Sequence, residues 1–177
     1  NVKATSIAVH ELVSSGYKKI AFVSYETGLT NILDREMGYR KAMRIHGLEN
    51  EICVKELDYS RMTDGLASVL PELLSSGIEA LIFSTNRLAI EALIVLRRMG
   101  KSVPEDVAFI GFDGSETFAF NLYEKAISYI RQPIEQFGYE AFDLLVDTII
   151  THGKTDVVNI ELNPELVRGD SSAPKSL

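Results

Sequence analysis

An α/β fold with a doubly wound, mostly parallel sheet is predicted by three features of the sequence. Short β-branched apolar runs recur every about 20 to 33 residues. Helical patterns separate them, as crossover connections require. The runs are apolar almost throughout instead of alternating in and out, which expects cover on both sheet faces.

In chain order, the 3.6-residue spacing of Ala4, Ile7, Ala8 and Leu12 opens the sequence with a helix that has no strand before it. Ile20–Ser24 is the first predicted strand, followed by a helix through Arg35 and then a strand at Ile52–Lys55. Leu66, Val69, Leu70, Leu73 and Leu74 line one face of the next helix, and Pro71 inside it either kinks it or restarts it. Strand Ala80–Ser84 leads to a helix on Leu88, Ala89, Ala92, Leu93 and Leu96. Val107–Phe112 and Ile127–Ile130 complete the strands. A last helix carries Ile134, Phe137, Ala141, Leu144 and Leu145. Gly16, Gly47, Gly77, Gly100 and Gly153 follow helical segments, where a left-handed C-cap favours glycine. The tail from Gly169 to Leu177 is expected to fray. The first and last helices have apolar faces that these strands cover poorly, so their partner strands are expected upstream of Asn1.

The 177 residues, 46% hydrophobic and 24% charged, fit one globular unit. A net charge of −7 gives this chain no uniform basic face for nucleic acid. No apolar stretch approaches the roughly 20 residues of a membrane-spanning helix, so no membrane partner is expected. Cys53 is the only cysteine, which excludes an internal disulfide and any cysteine-built zinc site. With no secretion signal in view, the expected compartment is the cytoplasm.

Catalytic and nucleotide-binding signatures are absent: no phosphate-binding glycine loop, no Gly-x-Ser-x-Gly, no His-Glu-x-x-His. No enzyme activity and no cofactor are therefore expected. His10, His46 and His152 lack the spacing of zinc ligands, so no metal is expected either.

In an open α/β sheet, ligands bind beyond the carboxyl ends of the strands, which directs attention to the polar residues that follow them. These are Ser24 to Asn31, the pair Asp58 and Tyr59, the run Ser84, Thr85 and Asn86, and Gly111, Phe112 and Asp113. An Asp113 carboxylate suits two hydroxyls of a polyol, or equally the N-cap of a short helix over Gly114 to Phe120. Arg35 is placed in the first turn of its helix, where a cation is unfavourable unless Asp34, Glu36, Asp113 or a ligand oxygen offsets it. Asn31 and Asn86 read as ligand contacts or as N-caps, and Tyr59 as a stacking ring or a core residue.

Four ordered segments carry a family resemblance. Gly16-Tyr-Lys-Lys-Ile-Ala-Phe-Val and Arg35-Glu-Met-Gly-Tyr-Arg-Lys-Ala-Met are similar to the first strand and following helix of the LacI/GalR transcription regulators. Val103-Pro-Glu-Asp-Val-Ala-Phe-Ile-Gly-Phe-Asp113 and Ile130-Arg-Gln-Pro-Ile-Glu-Gln-Phe-Gly138 resemble two later motifs, and Glu165-Leu-Val-Arg168 with Ser171 echoes the terminal one. The sequence departs from the pattern where an Asn-Asp pair becomes Thr85-Asn86, where Glu91 replaces a glycine, and in the lead-in Glu124 to Tyr129.

The resemblance implies a type I periplasmic-binding-protein-like sensor, of which this chain holds one lobe plus elements of a second. Residues 17–130 and 155–170 would form the C-terminal lobe, and 1–15 and 133–152 would be helices of the other lobe. The helix-turn-helix domain that reads operator DNA would lie outside the sequence. It also implies a homodimer, with the helix Asn86 to Met99 and apolar Phe118, Phe120 and Leu122 at the contact. Carried over by position, Arg35, Asp113, Tyr59, Asn31, Thr85, Asn86 and Gln132 would contact a small sugar, polyol or nucleoside effector. Two other readings compete. One is an extracytoplasmic sugar-binding protein of a transporter, and the other is a small α/β hydrolase using Asp113.

Overall fold

A computed structural model describes residues 1–113, 126–151 and 157–175. The expected short helix over Gly114 to Phe120, the apolar Phe118, Phe120 and Leu122, and Gly153 lie outside the described residues. Among those described, strands β1 (Ile20–Tyr25), β2 (Cys53–Leu57), β3 (Ala80–Phe83), β4 (Ala108–Phe112), β5 (Ser128–Arg131) and β6 (Glu165–Val167) form one sheet. Their order is β2-β1-β3-β4-β5-β6, with β1 to β5 parallel and β6 antiparallel at the edge. Helices α1 (Val2–Ser14) and α2 (Thr30–Ile45) cover one face, and α3 (Met62–Ser75) and α4 (Asn86–Arg98) the other.

The unbroken apolar runs now have a cause. Alternate residues of β1 serve opposite cores: Ala21 and Val23 meet α3 and α4, while Ile20 and Phe22 meet α1 and α2. The same division holds for Leu81 and Phe83 against Ala80 and Ile82. Pro71 sits inside a helix that runs from Met62 to Ser75, so it does not restart one.

Two expectations need correction. Helix α1 was expected to pair with strands upstream, yet Ala4, Ala8, Val9 and Leu12 are buried against Ile20, Phe22, Tyr39, Ala42 and Met43 of this sheet's own cover. Residues 1–15 thus pack into the lobe assigned to residues 17–130. Gly38 of α2 makes this possible, because a Cβ there would collide with the Val2 backbone of α1. Helix α5 (Ile134–Ile150) has no buried face. None of its residues is buried, and Ile134, Phe137, Phe142, Leu145 and Ile149 face solvent.

The tail is the second correction, because it is docked as far as Lys175. Ser171 Oγ accepts from Ser128 N at 2.8 Å and donates to Phe109 O at 2.6 Å, and both Ser171 and Ser172 are buried. Tyr17 OH donates to Ala173 O at 2.9 Å, and Lys175 Nζ meets Glu79 at 2.5 Å. Burial pushes the Glu79 carboxyl up, but bonds from the Lys175 ammonium and the Lys18 and Lys19 amides outweigh it and hold the group below the usual carboxylate range.

Two outcomes follow for stability. Gly38→Ala forces α1 off α2 and lowers stability by about 1–3 kcal/mol in urea unfolding, the usual cost of overpacking. A depressed Glu79 pKa adds stability that is complete above the ordinary carboxylate value and is lost as pH falls through the lower folded value. Glu79→Gln therefore flattens that acid limb in urea midpoints measured against pH.

Candidate functional site

Because β1 to β5 are parallel, their carboxyl ends share one edge of the sheet. Ser24 and Tyr25 end β1, Asp58 and Tyr59 follow β2, Ser84 to Asn86 follow β3, Asp113 follows β4 and Gln132 follows β5. Backbone bonds fix this edge: Ser84 N donates to Val23 O at 3.0 Å, and Asp113 N to Ile130 O at 2.8 Å. Ser24 Oγ donates to Ser84 Oγ at 3.1 Å.

Arg35 lies under this edge, 4% exposed, in the second turn of α2 instead of the first. Its NH1 donates to Ser84 O at 2.6 Å and its Nε to Asn1 Oδ1 at 3.1 Å. The guanidinium carbon stands 3.9 Å from the Phe112 ring centroid, a cation on an aromatic face. NH2 approaches Asp113 Oδ2 at 3.9 Å. Burial lowers the Arg35 pKa, while the Asp113 and Tyr25 charges oppose that shift. Of the three carboxylates expected to offset it, Asp113 is the one that does, since Glu36 bonds Arg40 at 2.6 Å.

Asp113 stands at φ +55, a left-handed conformation that non-glycine residues adopt rarely and that clusters at functional sites. Gln132 Nε2 lies 2.8 Å from both of its carboxylate oxygens. The edge thus presents one carboxylate flanked by an amide and a guanidinium.

Tyr59 is 49% exposed, which removes the core reading. Its ring makes an edge contact with Tyr25 at 5.2 Å between centroids, and its OH accepts from Arg87 NH1 at 2.6 Å. Arg87 also lies over the ring, 4.9 Å from its centroid. Asp58 turns back on its own loop, its carboxylate taking Ser60 N at 2.8 Å and Ser60 Oγ at 2.7 Å.

Both capping readings shift. Leu29 occupies the N-cap of α2, so Asn31 is an exposed first-turn residue and not the cap. Thr85 caps α4, its Oγ1 accepting from Leu88 N at 3.3 Å, and Asn86 is the half-buried first helical residue. Sequence reasoning placed Ser24, Tyr25 and Phe112 at this edge without a role, and it missed Arg87. Arg87 was legible only as an ordinary helix cation. Among the described residues no three His, Cys, Asp or Glu side chains gather to hold a metal.

Residues 9–172 match the family described as periplasmic binding protein-like domain. Over 174 residues the chain is 32% identical to the HTH-type transcriptional regulator CelR of Thermobifida fusca, covering 97% of this chain and 50% of that protein. A solved CelR–cellobiose complex superposes with a TM-score of 0.78 at 27% identity, over 96% of this chain and 51% of that one. A LacI family regulator from Enterococcus faecium, solved with bound ribose, gives a TM-score of 0.85 at 24% identity, over 99% and 64%, and shows the shared fold. The chain spans about half the length of the curated relatives it matches.

The left-handed position of Asp113 has a measurable signature. Asparagine tolerates this conformation and alanine does not, so Asp113→Asn is more stable than Asp113→Ala by about 1 kcal/mol in urea unfolding.

Proposed function

The chain belongs to the periplasmic binding protein-like domain family, in the form that LacI-type transcription regulators carry, and from that premise we propose that it is the effector-sensing part of a cytoplasmic LacI-type regulator, selective for a small sugar-like polyol. The observation that carries this reading is Asp113, strained at a strand end and set between Arg35 and Gln132. A carboxylate accepts hydroxyl hydrogens strongly, and the two donors beside it suit the oxygens of the same ring. Tyr59, with Arg87 at its hydroxyl, offers a flat wall for the apolar face of a pyranose. Thr85, Asn86 and Asn31 supply further polar groups around the same mouth. The sugars held by structural relatives, cellobiose and ribose, belong to this chemical class.

In this reading the protein binds and does not transform its ligand. Gln132 immediately precedes the Pro133 that leads into α5, whose exposed apolar side chains suit a second lobe. An effector held at Asp113 and reaching across to the second lobe closes the two lobes, and closure changes how helix-turn-helix domains elsewhere in the protein are spaced on operator DNA. Pairing of two copies through α4, where Ile94 is exposed, is part of the same proposal. Among the described residues no helix is long and apolar enough to cross a membrane.

In the full-length protein, Asp113→Ala and Arg35→Ala each weaken effector binding by about tenfold to a hundredfold, the worth of a charge-assisted bond. Operator binding in gel-shift assays stays intact in both. Wild-type induction by either variant sinks the site assignment.

A further inference from the structure

α1 and α2 bring together two histidines that the sequence keeps 36 residues apart. His10 is exposed on α1, and His46 is the C-cap of α2. Their rings are stacked with centroids 5.4 Å apart, and His10 Nδ1 stands 3.4 Å from His46 Nε2. One proton suffices for that contact, so the facing nitrogens hold a lone pair between them. Since α2 starts at the carboxyl edge of the sheet and runs back from it, this pair lies at the opposite end of the lobe from Asp113.

The separation has a chemical meaning. Two ligand nitrogens on a tetrahedral zinc, each bonded at about 2.0–2.1 Å, stand about 3.3 Å apart. The observed spacing matches that edge, and a small pivot of each ring turns both nitrogens onto one cation. The backbone that carries the rings is anchored. Val9 and Leu12 around His10, and Ala42 and Met43 before His46, are all buried in one core. Open solvent at His10 leaves the remaining coordination positions to water. Imidazole nitrogen suits zinc, copper and nickel and disfavours magnesium and calcium.

We propose that His10 and His46 form a binding site for one divalent late transition metal, which staples α1 to α2. It went unseen in the sequence because each ligand comes from a different helix, and neither has a second histidine or a cysteine one turn away.

The test is calorimetric titration of the untagged chain with Zn2+, Ni2+ and Cu2+ separately, with Mg2+ as control. The expected result is one equivalent of at least one of the three metals bound and no Mg2+ heat, with His10→Gln and His46→Gln each weakening binding about tenfold or more, at least the cost of disturbing a supporting contact. Metal also raises the thermal midpoint of the parent chain and not of the two variants. Because both substitutions are at accessible positions, circular dichroism confirms that the variants fold. Failure of the parent chain to bind any of the three metals, or unchanged affinity in both variants, overturns the site.

Discussion

A guanidinium cannot be buried without partners for its donors and its charge, and the way Arg35 meets that demand organises the carboxyl edge of the sheet. Its partners come from four places in the chain: Asn1 ahead of α1, the Ser84 carbonyl after β3, the Phe112 ring in β4 and the Asp113 carboxylate beyond it. Each holds the next in place. Asp113 in turn occupies both oxygens with Gln132, which carries the network to the start of α5. A single buried cation thereby links Asn1 to the residue that precedes Pro133 and α5.

The far end of the sheet is held by different means. There the charge is distributed among surface partners, and buried hydroxyls do the joining. Ser128 exchanges bonds with Gly169 and Ser172, Ser171 reaches Phe109, and the last described residues lie across Ser15 and Tyr17. Polar side chains make these contacts economically, because each hydroxyl both donates and accepts within a few ångströms of backbone. The antiparallel β6 closes the edge that β5 would otherwise leave open.

The five parallel strands were legible because strands covered on both faces are written as unbroken apolar runs. The edge residues followed from the rule that parallel strands share one functional end. What escaped was of another kind. Periodicity says that Ala4, Ala8 and Leu12 are buried, and is silent on which surface buries them, so α1 was expected to pair upstream. Thr85 and Asn86 are both good caps, and propensity does not separate neighbours of equal merit. The tail reads as polar, and only three-dimensional pairing reveals that Ser171 and Ser172 are satisfied inside. Arg87 and the His10–His46 pair have no local signature, because their partners are 28 and 36 residues away.

The amide of Gln132 resting on both oxygens of Asp113 means that this carboxylate is never idle. A hydroxyl arriving there performs an exchange, releasing the amide's bond to form its own with the same charge. A molecule of the same shape without that hydroxyl fares much worse, since it evicts the amide and leaves a charge unanswered. In the proposed site the resting contact therefore adds discrimination to the attraction that Asp113 exerts. There it acts as a toll that only the right oxygen pattern recovers.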